Sequence, residues 1–419
     1  MIRPHTAQTP QSPHTSILVI GAGYAGLLLT ARLAGKAPRD TVSITLVSEA
    51  DIFTERVRLH QFATSQTIQL RQIDEVLRGT GVRFVRGRVT SITPASHEIT
   101  IEDQQQAQRL RYDYLVYALG SLTDRQRVPG VAEHAYTLAP RGPLSAAALR
   151  AVLPAVAARG GTVIVCGGGA TGIETAAEFA RSYPALRVRL VTQDAFGLFL
   201  GKRVARYMRR SLERLGVVIL DQTTVEEVRA DALVTGDGRT LPCDVCVWAG
   251  GFIAPPLARE AGLLVNERDQ VVIDPFMRSL SHPAIYAVGD AAHPQEDPGV
   301  PVRMSAFTAA IMGAHGADCL AAVLRGKTPR PLSFSYVGQG IALGRGNAIG
   351  FNKYPDDRPN PPYITGWVAY QLRELFVRFL AATVRLEARW PGFFVWVGKR
   401  RYIPTERATS ASDRSERVA

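Results

Sequence analysis

Short apolar runs alternate with longer helical ones along the first three quarters of the chain. Ile17 to Ile20 is a stretch of the length and character a buried parallel strand needs. It runs into Gly21-Ala22-Gly23-Tyr24-Ala25-Gly26. The segment LLLTARLAG then continues at helical spacing to about Gly35, and a second strand, VSITLV, follows at 42–47. The same order returns later. TVIVC at 162–166 leads into Gly167, Gly169 and Gly172, then a helical stretch, then RVRLVT at 187–192. Three further apolar runs close in turns: YDYLVYALGS (112–121), CDVCVWAGG (243–251) and SHPAIYAVGDAA (281–292). Strand–turn–helix units in this alternation predict an α/β protein built on parallel sheets. A length of 419 residues suits two or three such domains.

Each glycine triplet sits where a strand turns into a helix, the context that gives a Gly-x-Gly-x-x-Gly spacing a mechanism. Gly21 permits the tight turn, Gly23 lets backbone approach a pyrophosphate, and Gly26 lets the helix pack close to the strand. The free N–H groups and positive dipole end of the helix then face the phosphates. Gly167, Gly169 and Gly172 repeat these roles, so two dinucleotide sites are expected. The ribose-binding acid of the first site should stand at the end of 42–47. Ser48 occupies that place and Glu49 follows, and either one fits the task.

Charge and cysteine usage narrow the field. The balance of 49 basic to 37 acidic residues gives +12, which favours anionic company such as dinucleotides or a membrane surface. The basic residues are scattered and form no nucleic-acid motif, so nucleic acid is not an expected partner. Four cysteines fit a reducing compartment better than a disulfide scaffold. No metal site is expected. MIRPHTAQTPQSPHTS at the N-terminus reads as a polar tail without the apolar core of a signal peptide, and TERATSASDRSERVA at the other end reads as a second tail. No uninterrupted apolar run reaches membrane-spanning length.

On these motifs, in this order and spacing from about residue 16 to 325, the chain resembles the two-dinucleotide-binding flavoproteins of glutathione-reductase-like fold. The resemblance implies an FAD domain at 16–140 and 251–325, with an NAD(P)H domain inserted at 141–250. A small C-terminal α+β region at 326–404 and tails at 1–15 and 405–419 complete the division. It implies FAD at Gly21, Gly23 and Gly26, with Asp290 of the Gly289-Asp290 turn bonding the flavin's ribitol. Ala118 and Gly120 are placed beside it, and Arg56 either joins them or belongs to a solvated basic loop. It implies NAD(P)H at Gly167, Gly169 and Gly172. Thr192 and Gln193 stand where an NADH site usually has an acid, with Asp194 able to take the ribose. An NADPH site would want arginine nearby, and the next basic residues are Lys202 and Arg203, so the balance leans to NADH. Relatives carry an acid near the nicotinamide at the position of Glu174. A helix-start acid satisfying the dipole is the alternative for that residue.

Within the superfamily, disulfide reductases need a cysteine pair soon after the FAD ribose strand, and 48–80 contains none. Cys243-x-x-Cys246 reads as a buried structural pair, its two side chains on opposite sides of one strand. Cys166 and Cys319 do not point to a sulfide:quinone oxidoreductase. The remaining likeness is to type II NADH:quinone oxidoreductases and their apoptosis-inducing-factor-like and ferroptosis-suppressor-like cousins. DIFTERVRLHQ (51–61), VRMSAFTAAIMGAHGADCL (302–320) and FSYVGQGIALGRGNAIG (334–350) carry it. In those enzymes the helix after the Gly-Asp turn has a glutamine-containing quinone motif. Here it reads Ala306-Phe307-Thr308-Ala309-Ala310-Ile311, and Phe307 and Ile311 become the acceptor-side candidates. Arg58 and His60 either line the flavin or acceptor side or belong to a solvated loop.

The C-terminal stretch 364–401 shows a helical stripe of Ile364, Trp367, Val368, Leu372, Leu375, Phe376, Phe379 and Thr383. Arg373, Glu374, Arg378 and Arg385 lie elsewhere on the wheel. Trp390, Phe393, Phe394 and Trp396 precede Lys399, Arg400 and Arg401, the mixture an interfacial anchor uses. The other reading packs this helix on the flavin domain or a partner subunit. The expected activity is an FAD-dependent NAD(P)H dehydrogenase passing electrons to a quinone or similar hydrophobic acceptor. It would act in the cytoplasm or peripherally on the inner face of the membrane, alone or as a homodimer. A flavoenzyme acting on a small organic molecule and a non-enzymatic NADH-responsive sensor are the alternatives.

Overall fold

The computed structural model describes residues 14–103, 106–197, 200–295, 302–354 and 357–398. Most of the two expected tails, and the basic cluster Lys399–Arg401, lie outside these. Two five-stranded parallel sheets dominate. In the first, β1 (Thr15–Ile20), β2 (Val42–Ser48), β3 (Arg83–Arg86), β4 (Tyr114–Tyr117) and β10 (Ile285–Ala287) are arranged in the order β10-β4-β1-β2-β3. In the second, β5 (Ala135–Thr137), β6 (Thr162–Cys166), β7 (Arg187–Val191), β8 (Val218–Leu220) and β9 (Val245–Trp248) lie in the order β5-β9-β6-β7-β8. In each sheet the glycine-bearing strand is central and buried, which is why β1 and β6 read as continuous apolar runs. The second sheet lies wholly between β4 and β10 in sequence, so its domain is inserted into the first. It also recruits Ala135–Thr137, ahead of the boundary expected at 141, because that strand pairs in parallel with β9.

Helix α1 (Tyr24–Lys36) follows β1, and α2 (Ala170–Ser182) follows β6. Helix α3 (Lys202–Glu213) links β7 to β8, α4 (Ala306–Leu324) follows the turn after β10, and α5 (Gly366–Arg389) lies near the C-terminus. Strands β11 (Gly338–Ala342), β12 (Ala348–Lys353) and β13 (Pro359–Thr365) form an antiparallel sheet whose first hairpin turns through 343–347, as GRGN predicts. Helix α4 is long and apolar enough to cross a membrane, yet most of it is buried. A Cβ on Gly313 would come within 2.4 Å of the Ala25 carbonyl oxygen of α1, so α1 and α4 pack backbone to backbone in the core.

Helix α5 inverts the usual rule. Its large apolar residues face outward, with Trp367 and Leu375 each 65% exposed and Leu372 50%. Arg373, Glu374, Thr383 and Glu387 are buried beneath it with Ala369, Val377, Leu380, Ala381 and Val384. Thr383, expected on the apolar stripe, thus belongs to the inner face. Arg32 of α1 ties α5 down through Glu387 (2.9 Å) and the Phe394 carbonyl just beyond the helix (2.8 Å), and bonds Asp318 of α4 at both oxygens (2.8 Å). Such a fork of charge-assisted bonds fixes orientation as well as contact. Removing one partner would leave an uncompensated buried charge, typically a loss of about 3–5 kcal/mol.

Candidate active site

The two glycine turns are built alike. Gly21 has φ +100°, and a Cβ there would meet the Ala118 carbonyl oxygen at 2.4 Å; Gly167 has φ +136° and meets Ala249 at 2.9 Å. Gly26 and Gly172 would each drive a Cβ to 1.9 Å from the carbonyl oxygen of Gly21 and Gly167 respectively. Gly23 and Gly169 have nothing within 4 Å of that position. They cap α1 and α2 without a side-chain hydrogen bond, which leaves the helix N–H groups facing open space. The space in front of both helices suits a pyrophosphate.

Across from the first turn, Ser121 donates its hydroxyl to Asp290 Oδ2 at 2.7 Å, and Arg56 Nη1 donates to the Ser121 carbonyl at 2.6 Å. Gly120, at φ +71°, lies beside Arg56, and Gly289, at φ +73°, brings its backbone against Ala25. Burial pushes the Asp290 carboxyl above its ordinary range, while the Ser121 bond, Arg56 and the Ser305 N–H pull it back. Asp290 Oδ1 is buried with no hydrogen-bond partner among the described residues. A buried carboxylate oxygen left open in this way costs stability unless a ligand donates to it, and a ribitol hydroxyl fits. The first site therefore accommodates FAD. Ser48 is half-buried and accepts from the Ala50 N–H at 3.3 Å, whereas Glu49 is exposed.

At the second turn Thr192 is buried and packed where a Cβ on Gly168 would meet it at 3.0 Å. Its hydroxyl donates to the Asp194 carbonyl at 2.7 Å, so it shapes the loop, and the side chains of Gln193 and Asp194 are left exposed. Trp248 Nε1, on the strand behind Gly167, is buried without a partner.

Glu174 lies in the first turns of α2 and is nearly buried. Its Oε1 accepts from the Ala342 N–H at 2.9 Å and from Arg373 at 2.9 Å and 3.1 Å. Arg373 also pairs with Glu374 (2.6 Å), Glu374 with Arg58 (2.9 Å), and Arg58 with Glu55 (3.1 Å). A chain of alternating charges therefore runs from the segment after β2 through the inner face of α5 to Glu174. His60 is enclosed beside it. Burial, then the charges of Arg373 and Arg58, push its pKa down to about 3 against the opposing Glu374. Arg58 and His60 are accordingly no solvated loop, and His60 is held neutral.

On the other side, Phe307 is half-buried, with its ring 5.9 Å from Phe376 and 6.2 Å from Tyr336. Ile311 is fully enclosed in the core, so of the two acceptor-side candidates only Phe307 faces outward. Next to Phe307 stands a polar cluster the sequence did not disclose. Lys353 and Arg303 both pair with Asp357, Tyr336 accepts from the Arg303 N–H at 3.1 Å, and Lys353 lies 5.0 Å over the Tyr336 ring.

The sequence model of the pyridine nucleotide-disulphide oxidoreductases matches residues 15–314. The chain belongs to this family. The demethylphylloquinone reductase of Synechocystis is 27% identical over 80% of this chain and 85% of its own. The type II NADH:quinone oxidoreductase of Staphylococcus epidermidis is 25% identical over 80% and 89%. The solved structure of NDH2 from Plasmodium falciparum is similar in fold, with a TM-score of 0.74 at 14% identity across 93% of this chain and 100% of that one. As a member of the pyridine nucleotide-disulphide oxidoreductases, the protein is an NAD(P)H oxidoreductase with FAD and NAD(P)H as its cofactors.

This pyridine nucleotide-disulphide oxidoreductase keeps all four cysteines free and buried. One expectation needs correcting. Cys243 precedes β9 rather than lying in it, because Asp244 turns away to accept from the Thr162 N–H at 2.7 Å, so strand alternation does not separate it from Cys246. Cys166, Cys243 and Cys246 share one apolar cluster, with Cys166 and Cys246 sulfurs 3.9 Å apart. Burial pushes the Cys243 thiol up to about 12, which keeps it a thiol and unreactive.

Proposed function

We propose that the protein oxidises NAD(P)H and passes the electrons to a quinone or a similarly flat, hydrophobic acceptor at a membrane surface. The observation that carries this reading is the continuity of Phe307 with the outer face of α5. From the helix that follows Asp290, aromatic side chains lead through Phe376 to an exposed stripe of Trp367, Val368, Leu372, Leu375 and Phe379. A contiguous apolar face of this kind marks a binding surface. Its companions Arg378, Arg385 and Arg389 suit an interfacial helix rather than a spanning one. The similarity to quinone reductases agrees with it.

Gly21, Gly23, Gly26, Ser48, Glu49, Arg56, Ala118, Gly120, Gly289 and Asp290 would hold FAD, and Gly167, Gly169, Gly172 and Thr192 the dinucleotide. FAD held by these residues would supply two-electron carriage between the nicotinamide and the acceptor. The chain's own contribution is positioning, which removes the entropy of bringing two reactants together. Glu174 is the acid on the nicotinamide side. Arg373 and the Ala342 N–H hold its carboxylate in one orientation, with Arg373 itself fixed by Glu374. The start of the helix after Asp290, Ala306 to Ile311, carries no glutamine, so apolar and aromatic contact with Phe307 would hold the ring.

A second reading, a small organic substrate, is favoured by the Arg303–Asp357–Lys353 cluster, which offers polar groups that a plain quinone does not require. One experiment separates them. Purified flavoprotein is mixed anaerobically with NADH or NADPH, and a soluble quinone is then added. Prompt bleaching with prompt recovery on quinone supports the first reading and names the coenzyme. Bleaching with recovery only on other acceptors supports the second, and a long-lived reduced state would point to a redox sensor.

A further inference from the structure

Helix α3 carries Lys202, Arg203, Arg206, Arg209 and Arg210 in twelve residues, with Arg214 just beyond, and Glu213 as its sole acid. Arg209 is committed to Asp221 (2.5 Å) and lies over Phe196. Lys202, Arg203, Arg206 and Arg210 are exposed, and among the described residues no carboxylate pairs with them. Arg203, Arg206, Tyr207, Arg210 and Arg214, with Glu213 as the one acid among them, line an open groove of about 720 Å³. It continues, through Tyr207 and Arg214, into a second depression of about 440 Å³ bounded by Arg181, Arg345, Asn347 and Gly366. Tyr207 donates to Asn347 Oδ1 at 2.7 Å, and Tyr363 of β13 donates to the Leu200 carbonyl at 3.3 Å. The basic helix is therefore fastened to the hairpin at 343–347 and to the strand that leads into α5. Gly366 is the first residue of α5, and the exposed apolar stripe begins at Trp367.

We propose that this groove on α3 and the 343–347 hairpin binds the headgroups of anionic phospholipids, beside the apolar face that α5 lays into the bilayer. The proposal rests on the membrane-surface reading above and adds a lipid class to it. Two features favour a membrane over other polyanions. The basic groove is continuous with an apolar stripe, which nucleic acid could not use. Binding of an interfacial helix grows with its buried apolar area and with electrostatic attraction to anionic lipids, so a basic groove beside the stripe would strengthen attachment. Unpaired arginines suit the phosphates, since the guanidinium fork matches their geometry.

The test is flotation of the holoprotein with phosphatidylcholine vesicles and with phosphatidylcholine–phosphatidylglycerol vesicles, at low and high salt. Arg203→Gln/Arg206→Gln/Arg210→Gln and Leu372→Ser/Leu375→Ser variants are run beside the wild type. Bound flavin and an unshifted thermal melt report that each is folded. Each basic residue near an anionic surface is worth about fivefold in partitioning, so the triple variant should lose on the order of a hundredfold on mixed vesicles. It should change little on phosphatidylcholine, and high salt should erase the wild type's preference. Equal wild-type binding to both vesicles would overturn the headgroup site while leaving the apolar anchor standing. So would a triple variant that keeps its preference. Failure to bind either vesicle would overturn both, and arginine-dependent binding of duplex DNA without a vesicle preference would assign the groove to a different polyanion.

Discussion

The two glycine turns share one geometry, yet the chain surrounds them differently. Both have a left-handed first glycine against a backbone, an open second glycine, and a third pressed to 1.9 Å. The first turn faces a buried carboxylate oxygen with no partner, held in place by Ser121 and Arg56. The second faces exposed Gln193 and Asp194 and a threonine whose hydroxyl is already used. The lesson is that the glycine spacing encodes how a helix approaches a dinucleotide, and the supporting residues encode how long it stays. The first turn faces a buried acceptor and the second faces exposed polar side chains, so on the proposed assignment FAD would be held the more firmly of the two.

The sharpest way to break this comparison is at the third glycines. Gly26→Val and Gly172→Val each force a side chain into a carbonyl oxygen, and overpacking against backbone should cost about 3 kcal/mol or more. Gly26→Val should yield protein without flavin. Gly172→Val should unfold the inserted domain first, seen as a separate early transition in thermal melts. At the second glycines the space is empty, so Gly23→Val and Gly169→Val should fold with near-normal melting. Gly23→Val should purify colourless. Gly169→Val should stay yellow but need at least tenfold more NAD(P)H for half-maximal bleaching; if it lost flavin instead, the assignment of the two sites would be reversed.

A smaller effect is expected at Asp290. Asp290→Ala removes the open acceptor, and a hydrogen bond to a charged group is worth about 1.5–3 kcal/mol, or about 10- to 100-fold in FAD affinity. Flavin release on dilution would measure it, and unchanged affinity would remove the ribitol role. The smallest lies in the seam between the two domains. His60 has a folded pKa near 3, below its ordinary 6.5, so in that window the unfolded chain binds more protons and stability rises with pH. From pH 7.5 down to pH 6 the loss should be roughly 0.8 kcal/mol, steepening toward about 1.4 kcal/mol per unit below. Denaturant titrations across this range should show the slope, and His60→Asn should flatten it.

Much of this was legible in the chain because it is local. A strand, a glycine turn and a helix occupy consecutive residues, so both fingerprints, the Gly289-Asp290 turn and the hairpin at 343–347 fall where the pattern places them. What was not legible depends on distant partners. The wheel of α5 shows an apolar stripe but not which side faces in. That is decided by Arg32, Arg58 and Glu174, which receive Glu387, Glu374 and Arg373 from far along the chain. Burial of those charges turns the large apolar residues outward. Likewise Asp357 gathers Arg303 and Lys353 beside Phe307, and nothing at any one of the three positions announces the other two.

The insertion of one domain within another sets an order on synthesis. All five strands of the inserted sheet have been synthesised once Trp248 is made, so that domain can close before the outer sheet is complete. The outer sheet must wait for Ile285–Ala287 to join its edge, and its flavin pocket for Asp290. The nascent chain therefore completes its two nucleotide pockets in the reverse of their order along the sequence.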